Sequence, residues 1–244
     1  MVALDDAVTV VTGASSGIGA ETVHALAAKG ANVVLAARRE SRLEDIAAAV
    51  EQTHDVEALV VPTDVSEEDD CNRLIERTID AFGRLDVLVN NAGIGRGDDV
   101  ASLTTEEYRA MMGVNVDGCF FTTRAALPHL ADDGHLIYVG SIAGEYPRPA
   151  NPVYASTKWW VRGFAHSVSA QVGGDGIAVT VVNPSEVRSG FGQQDGAPFR
   201  DRFEPGTASE PDDIADAIVY AAGAGHTAPL EIDLYRRDKF ANSF

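Results

Sequence analysis

Short runs of apolar, β-branched residues alternate along the chain with stretches in which apolar residues recur every three or four positions. The runs predict strands at residues 7–12, 32–37, 57–62, 86–90, 135–141, 177–183 and 229–235. The stretches between them carry the helical period; after the first run, for example, Ala20, Val23, Leu26 and Ala27 line one face until Lys29 and Gly30 end the pattern. Seven strands separated by helices imply an α/β fold with a parallel sheet covered on both faces. Helix starts are legible at Ser41…Glu44 and Thr104…Glu107, which fit capping boxes, and at Asn151-Pro152, an N-cap followed by proline at the first helical position. No internal repeat interrupts this order. Six glycines and prolines within residues 189–206 mark the most irregular backbone, expected to form a lid over a pocket.

Composition bounds the picture. At 244 residues, 45% of them hydrophobic, one domain spanning the chain is the expectation. No apolar run is long enough to span a bilayer, and Asp5 and Asp6 stand where a signal peptide wants basic charge, so a cytoplasmic protein is expected. Cys71 and Cys119 lie far apart with no companion ligands, which argues against a metal site or a disulfide framework. The net charge is −18, from 37 acidic and 19 basic residues, and only Lys29, Lys158 and Lys239 are lysines. Such a surface repels nucleic acid and anionic membranes. It fits either an ordinary acidic soluble protein or a protein of a salt-rich, halophilic cytoplasm.

Chemistry concentrates at a few places. The stretch "VTVVTGASSGIGAETVHAL" runs from a strand through Gly13, Gly17 and Gly19 straight into a helix. Glycine permits a tight turn and close approach, and the free N–H groups of the helix start favour an anion, so a phosphate is the expected guest. The spacing differs from G-x-G-x-x-G but keeps its strand–turn–helix setting. Asn90-Asn91-Ala92-Gly93 follows the fourth strand, Ser141 ends the fifth, and Tyr154 and Lys158 stand four apart on one helical face. Taken singly, each has a bland alternative: a surface pair, a turn serine, a structural asparagine.

Together these residues resemble the short-chain dehydrogenase/reductase family over nearly the whole chain. The resemblance rests on Thr12-Gly13-x-x-x-Gly17-Ile18-Gly19, Asp64-Val65, Asn90-Asn91-Ala92-Gly93, Asn115, Ser141, Tyr154-x-x-x-Lys158 and Asn183-Pro184, in that order and spacing. It implies a single-domain, Rossmann-type doubly wound fold and an NAD(P)-dependent oxidoreductase. Tyr154 would be the acid/base, Lys158 its activator, Ser141 the hydroxyl orienting the substrate, and Asn115 the holder of a water linking Lys158 to solvent. The cofactor residues it implies are Gly13, Ser15, Ser16, Gly17, Ile18, Gly19, Arg38, Arg39, Asp64, Val65, Asn91, Ala92, Gly93, Tyr154, Lys158, Pro184, Val187 and Ser189. Asn90 is assigned to tethering strands.

The chemistry stands apart from the family name. Moving a hydride between an alcohol and a nicotinamide requires a group that takes or gives the hydroxyl proton. A tyrosine of pKa about 10 needs help at neutral pH, and a lysine ammonium beside it, with a positive nicotinamide, should lower its pKa. Cofactor choice turns on the end of the second strand. The position where NAD sites place an acid holds Ala37, followed by Arg38 and Arg39, so NADP is expected ahead of NAD, with no second arginine at Ser16 in the glycine loop.

Pro184-Ser185 stands where Pro-Gly is common, Ser189 where threonine is common, and Trp159-Trp160 adds bulk after Lys158. The substrate loop is placed at residues 185–206, and the pocket mixes apolar rings with Glu145, Arg148, Glu186 and Arg188. The "AARR" strand end and the short tail resemble the subgroup acting on serine and other small 3-hydroxy acids or reducing small aldehydes. A homotetramer or homodimer is expected, built on the helices of Asn115 and Tyr154, with Val161, Phe164, Ala165 and Val168 as candidate contacts. The competing reading is a non-catalytic nucleotide-binding regulator or scaffold of the same fold.

Overall fold

The computed structural model describes residues 4–97, 99–192 and 197–239. Seven parallel strands form one sheet in the order β3-β2-β1-β4-β5-β6-β7. They are β1 (Val8–Thr12), β2 (Asn32–Ala37), β3 (Ala58–Pro62), β4 (Leu85–Asn90), β5 (Leu130–Val139), β6 (Ala178–Pro184) and β7 (Glu231–Leu234). Helices α1 (Gly17–Ala27), α2 (Glu40–Thr53), α3 (Glu68–Phe82), α4 (Thr105–Met112), α5 (Gly118–Ala126), α6 (Pro152–Val172), the short α7 (Phe199–Arg202) and α8 (Pro211–Ala222) connect them. This is the Rossmann-type arrangement expected from the sequence.

The continuous apolar runs have a direct cause. Alternate strand residues feed two cores: Val11, Leu35, Val89 and Ile137 pack with Leu26, Leu43 and Ile214 on one face. Val10, Val34, Leu88 and Tyr138 pack with Leu74, Ile75, Val161 and Ala165 on the other. A strand buried on both faces has no polar side to show. All the strands run the same way, so their carboxyl ends form one edge, and the order reverses between β1 and its two neighbours β2 and β4. Crevices at such reversals are where open α/β sheets take ligands.

Three local expectations change. The fifth strand begins earlier and ends at Val139, so Ser141 lies beyond it and caps a short 3₁₀ turn, Ile142–Gly144. The second helix starts at Glu40 with Arg39 as its cap, and no box forms at Ser41…Glu44, because the chain enters the helix from an arginine committed to the glycine turn. Val161, Ala165 and Val168 are buried against their own sheet, so a subunit interface on α6 would have to use exposed rings such as Trp159 instead. The Thr104…Glu107 box and the Asn151-Pro152 start are present as read.

Candidate active site

The turn after β1 is built by close approach. Gly13 (φ +66°) and Gly17 (φ +56°) adopt left-handed backbone that side chains disfavour. A Cβ at Gly19 would stand 2.4 Å from the Gly13 carbonyl oxygen. Thr12 locks the turn to β4: its hydroxyl donates to the Val89 carbonyl and accepts from the Asn91 and Ala92 N–H groups. The Asn91 side-chain amide donates to the Thr12 carbonyl (2.8 Å) and lies 3.4 Å from that of Gly13. Its side chain is thus spent on the turn, and only its backbone is left to meet a ligand. Asn90, as expected, tethers β4 to α5 through Thr122 (2.5 Å) and Thr123.

The start of α1 suits an anion. Helices α3, α4 and α8 carry two or three acids in the first turn, whereas α1 carries none, and its cap Ser16 makes no side-chain capping bond. Arg39, read from sequence as a residue of the β2 end, reaches across to this turn. Its guanidinium donates to the Ser15 and Ser16 hydroxyls, each at 2.8 Å, so an arginine does reach the glycine loop. Arg38 points outward beside Asp64, 3.8 Å away, with 69% of its side chain exposed. Asp64 otherwise holds Ser66. The two guanidinium groups, the hydroxyls and the acid-free helix start fit a nicotinamide dinucleotide bearing a 2′-phosphate.

Across the crevice lie Ser141, Tyr154, Lys158 and Asn115. The Asn151 side chain accepts from the Tyr154 N–H (3.1 Å), fixing the first turn of α6. Ser141 accepts from the Ala143 N–H, and its hydroxyl is near enough to the Tyr154 phenol to draw the phenol's pKa down. Lys158 is buried, with its ammonium 2.8 Å from the Val139 carbonyl and 6.0 Å from the Tyr154 ring centre. Asn115 sits in a five-residue π turn (Gly113–Asp117) between α4 and α5. Its amide brackets Ile94, accepting from that N–H and donating to that carbonyl at 2.8 Å each, and also donates to Thr157. Thr157 in turn donates to the Tyr154 carbonyl. A small cavity bounded by Thr12, Val65, Asn115, Val139 and Lys158 lies behind the pair.

The electrostatics differ from the expectation in one respect. Burial pushes the Tyr154 phenol up to about 12, against weaker opposing pulls from the Ser141 hydroxyl and the Arg148 charge. Burial also brings Lys158 down to about 8. Desolvation dominates at the phenol in the chain alone, while the Lys158 ammonium donates to the Val139 carbonyl.

The remaining expected residues fall where the backbone puts them. Gly93 is close to both Asn115 and Lys158: a Cβ there would stand 3.5 Å from each side chain. Val187 is buried, and Pro184 closes β6. Ser189 faces Gly17 and accepts from the Phe191 N–H. Of the expected substrate loop 185–206, residues 193–196 lie outside the described residues. Four residues were not foreseen as parts of the site: Thr12 as a lock, Asn151, Thr157 and Phe191. The ring of Phe191 stands 5.5 Å from that of Tyr154, and a Cβ at Gly95 would be 3.0 Å from its edge. The proline after Asn151 and the position of Thr157 inside "YASTK" were signals available for two of them.

A glycine turn and acid-free helix start at a sheet reversal, facing a serine and a tyrosine beside a buried lysine, match a nucleotide-dependent oxidoreductase of the doubly wound class. A short chain dehydrogenase family profile matches residues 7–198. An uncharacterized oxidoreductase of Staphylococcus saprophyticus is 38% identical over 224 residues, 88% of this chain and 89% of that one. Among solved structures, an alcohol dehydrogenase from the archaeon Thermococcus sibiricus, complexed with 5-hydroxy-NADP, superposes with a TM-score of 0.88 at 29% identity, covering 96% of this chain and 97% of that one. A 3-ketoacyl-(acyl-carrier-protein) reductase from Brucella melitensis, complexed with NADH, gives 0.81 at 30% identity, covering 94% and 98%. The chain belongs to the short-chain dehydrogenase family and is an NAD(P)-dependent dehydrogenase/reductase. No helix among the described residues is long and apolar enough to cross a membrane.

Proposed function

We propose that this chain interconverts a secondary alcohol and a ketone or aldehyde, with a small hydroxy acid or carbonyl as substrate, and uses NADP in preference to NAD. The observation that carries this reading is the buried Lys158 one helical turn from Tyr154, its ammonium 6.0 Å from the phenol ring centre, with the Ser141 hydroxyl beside the phenol. The nicotinamide, when bound, supplies the redox chemistry. The turn Gly13, Ser15, Ser16, Gly17, Ile18 and Gly19 would hold its pyrophosphate, Arg38 and Arg39 a 2′-phosphate, and Asp64 and Val65 the adenine end. Ala92, Gly93, Pro184, Val187 and Ser189 would border the nicotinamide end, Asn91 and Val187 through their main chains. Ser141 orients the substrate oxygen, and Tyr154 gives or takes the proton at that oxygen. Lys158, its ammonium on the Val139 carbonyl and 6.0 Å from the Tyr154 ring centre, would meet the ribose and bring its positive charge toward the phenol. Asn115, its side chain committed to Ile94 and Thr157, holds the relay water through its main chain in the cavity beside Lys158.

The reading extends to a cytoplasmic homotetramer or homodimer, and to an acidic surface suited to high salt. Trp159 and Phe120, large rings exposed on α6 and α5, are the contacts such an assembly would cover. The test of the catalytic reading is Tyr154→Phe. Removing a general acid/base costs about 10²- to 10⁴-fold in kcat, while NADPH binding, followed by fluorescence, is expected to survive. A variant keeping more than about a tenth of wild-type kcat contradicts the assignment of proton transfer to the phenol.

A further inference from the structure

We propose that Lys239 is a positioning residue: through its ion pair with Glu186, the segment after β7 fixes the main chain that meets the nicotinamide. The inference rests on the cofactor reading above and deepens it. Residues 235–239 leave the edge strand β7 and turn back over the loops that follow β5 and β6, with the Lys239 N–H donating to the Arg236 carbonyl (3.0 Å). The Tyr235 hydroxyl donates to Glu145 (3.2 Å), four residues beyond Ser141. The Arg236 N–H donates to the Ser185 hydroxyl (3.3 Å), and its guanidinium lies 5.8 Å from the Phe203 ring centre. Lys239 donates to the Glu186 carboxylate, with only 16% and 18% of the two side chains exposed. Glu145 and Glu186, read from sequence as pocket charges, are thus held by this segment.

The pair acts on the residue that matters. Glu186 directly precedes Val187, and Val187 and Ser189 are assigned above to the nicotinamide end. The main chain here is tied at successive residues. The Ser185 N–H donates to the Leu234 carbonyl (2.8 Å), the Glu186 carbonyl accepts from the Ser209 N–H (3.2 Å), and the Arg188 N–H donates to the Ser209 carbonyl (2.8 Å). Burial alone would push the Glu186 carboxyl up, but the Lys239 hydrogen bond and the Lys239 and Arg236 charges hold it below its ordinary value, so it is ionised at neutral pH. Its Oε2 is buried and makes no hydrogen bond among the described residues. Removing the ammonium therefore leaves a largely buried carboxylate short of its main donor, a cost the loop relieves by moving toward water. Val187 moves with its neighbour, and a misplacement of about 1 Å in a positioning group can cost about 10²-fold.

The test is calorimetric titration with NADP and with 2′-phospho-ADP-ribose, the same molecule without its nicotinamide. Wild type is expected to bind NADP the more tightly. Lys239→Met should weaken NADP about 10-fold, the low end for losing a charge-assisted hydrogen bond. The fragment should stay within about twofold, as for a site remote from the change. Glu186→Gln should do the same, and it supplies the reading if Lys239→Met does not fold. The double variant should lose no more than either single one, because both remove one pair, and Lys239→Arg should recover most of the loss. Equal losses for NADP and the fragment would make the segment merely structural and overturn the proposal. So would unaltered NADP binding, losses that multiply in the double variant, or a wild type that gains nothing from the nicotinamide. Failure of the underlying reading would look different: wild type would bind neither ligand, and both would fall together.

Discussion

The turn after β1 and the loop after β6 are both rich in glycine, and their glycines serve opposite ends. At Gly13 and Gly19 a Cβ would stand 2.4–2.9 Å from neighbouring atoms, whereas at Gly190 and Gly206 it would meet nothing within 4 Å. In the first region glycine is required because other backbone and Asn91 already fill the space. In the second it sets the path of a chain that touches little at those points. A filled turn holds one shape and suits a cofactor part of fixed geometry. A loosely packed loop carrying Phe191, Phe199 and Phe203 in a chain of ring contacts, with Arg236 over the last, suits a pocket whose shape decides the substrate.

The sharpest way to break this comparison is a pair of alanines. Gly19→Ala forces a methyl toward the Gly13 carbonyl and should cost about 1–3 kcal/mol of stability, as overpacking does, with NADPH affinity falling alongside. Gly190→Ala should stay within about 0.5 kcal/mol, as an unpacked surface change does. Denaturant melts and NADPH titrations of both variants check this, and equal effects would erase the distinction.

Smaller in effect is the choice of cofactor at the rim of the filled turn. Arg38→Gln should lower the NADP-to-NAD ratio of kcat/KM by about tenfold, the exposed position holding the effect near the low end for a charged hydrogen bond. Gln serves better than Asp here, because a carboxylate would also face Asp64. An equal loss with both cofactors would make Arg38 structural and leave the 2′-phosphate to Arg39.

The smallest expected effect per site, spread over the whole surface, is that of salt. At about 1 M salt the range of charge repulsion shrinks to about 3 Å, so the melting midpoint should climb from dilute buffer to molar potassium chloride. Buried contacts such as Lys158 with Val139 should respond less than the exposed acids. A flat midpoint would remove the high-salt reading and leave an acidic reductase.

Much of the fixed half was legible in the sequence, because its causes are local. Strands buried on both faces write continuous apolar runs, and a turn with no room for Cβ atoms writes glycines at set intervals. Tyr154 and Lys158 share a helical face by spacing alone. The reach of Arg39 to Ser15 and Ser16 was not legible, since it joins residues 24 and 23 positions apart through a side-chain conformation. Nor was the outcome at the phenol: spacing puts a lysine near Tyr154, but burial and the Val139 carbonyl decide where its ammonium points. The rings of Phe191 and Phe199 read as loop composition until the fold set Phe191 against the tyrosine and Phe199 against Phe191. Ser41 and Glu44 matched a capping pattern that the chain's path through Arg39 left unused.

The most direct test of the account is the pH dependence of alcohol oxidation at saturating NADP, measured for wild type and for the residual activity of Tyr154→Phe. Oxidation needs the phenol deprotonated, and in the chain alone burial places that ionisation at about 12. Wild-type kcat is therefore expected to rise with pH to a plateau set by an ionisation below about 12, as the positive cofactor favours the phenolate. The Phe variant should show a small kcat without that rise. The same rise in both proteins would show that another group moves the proton and would contradict the role of Tyr154.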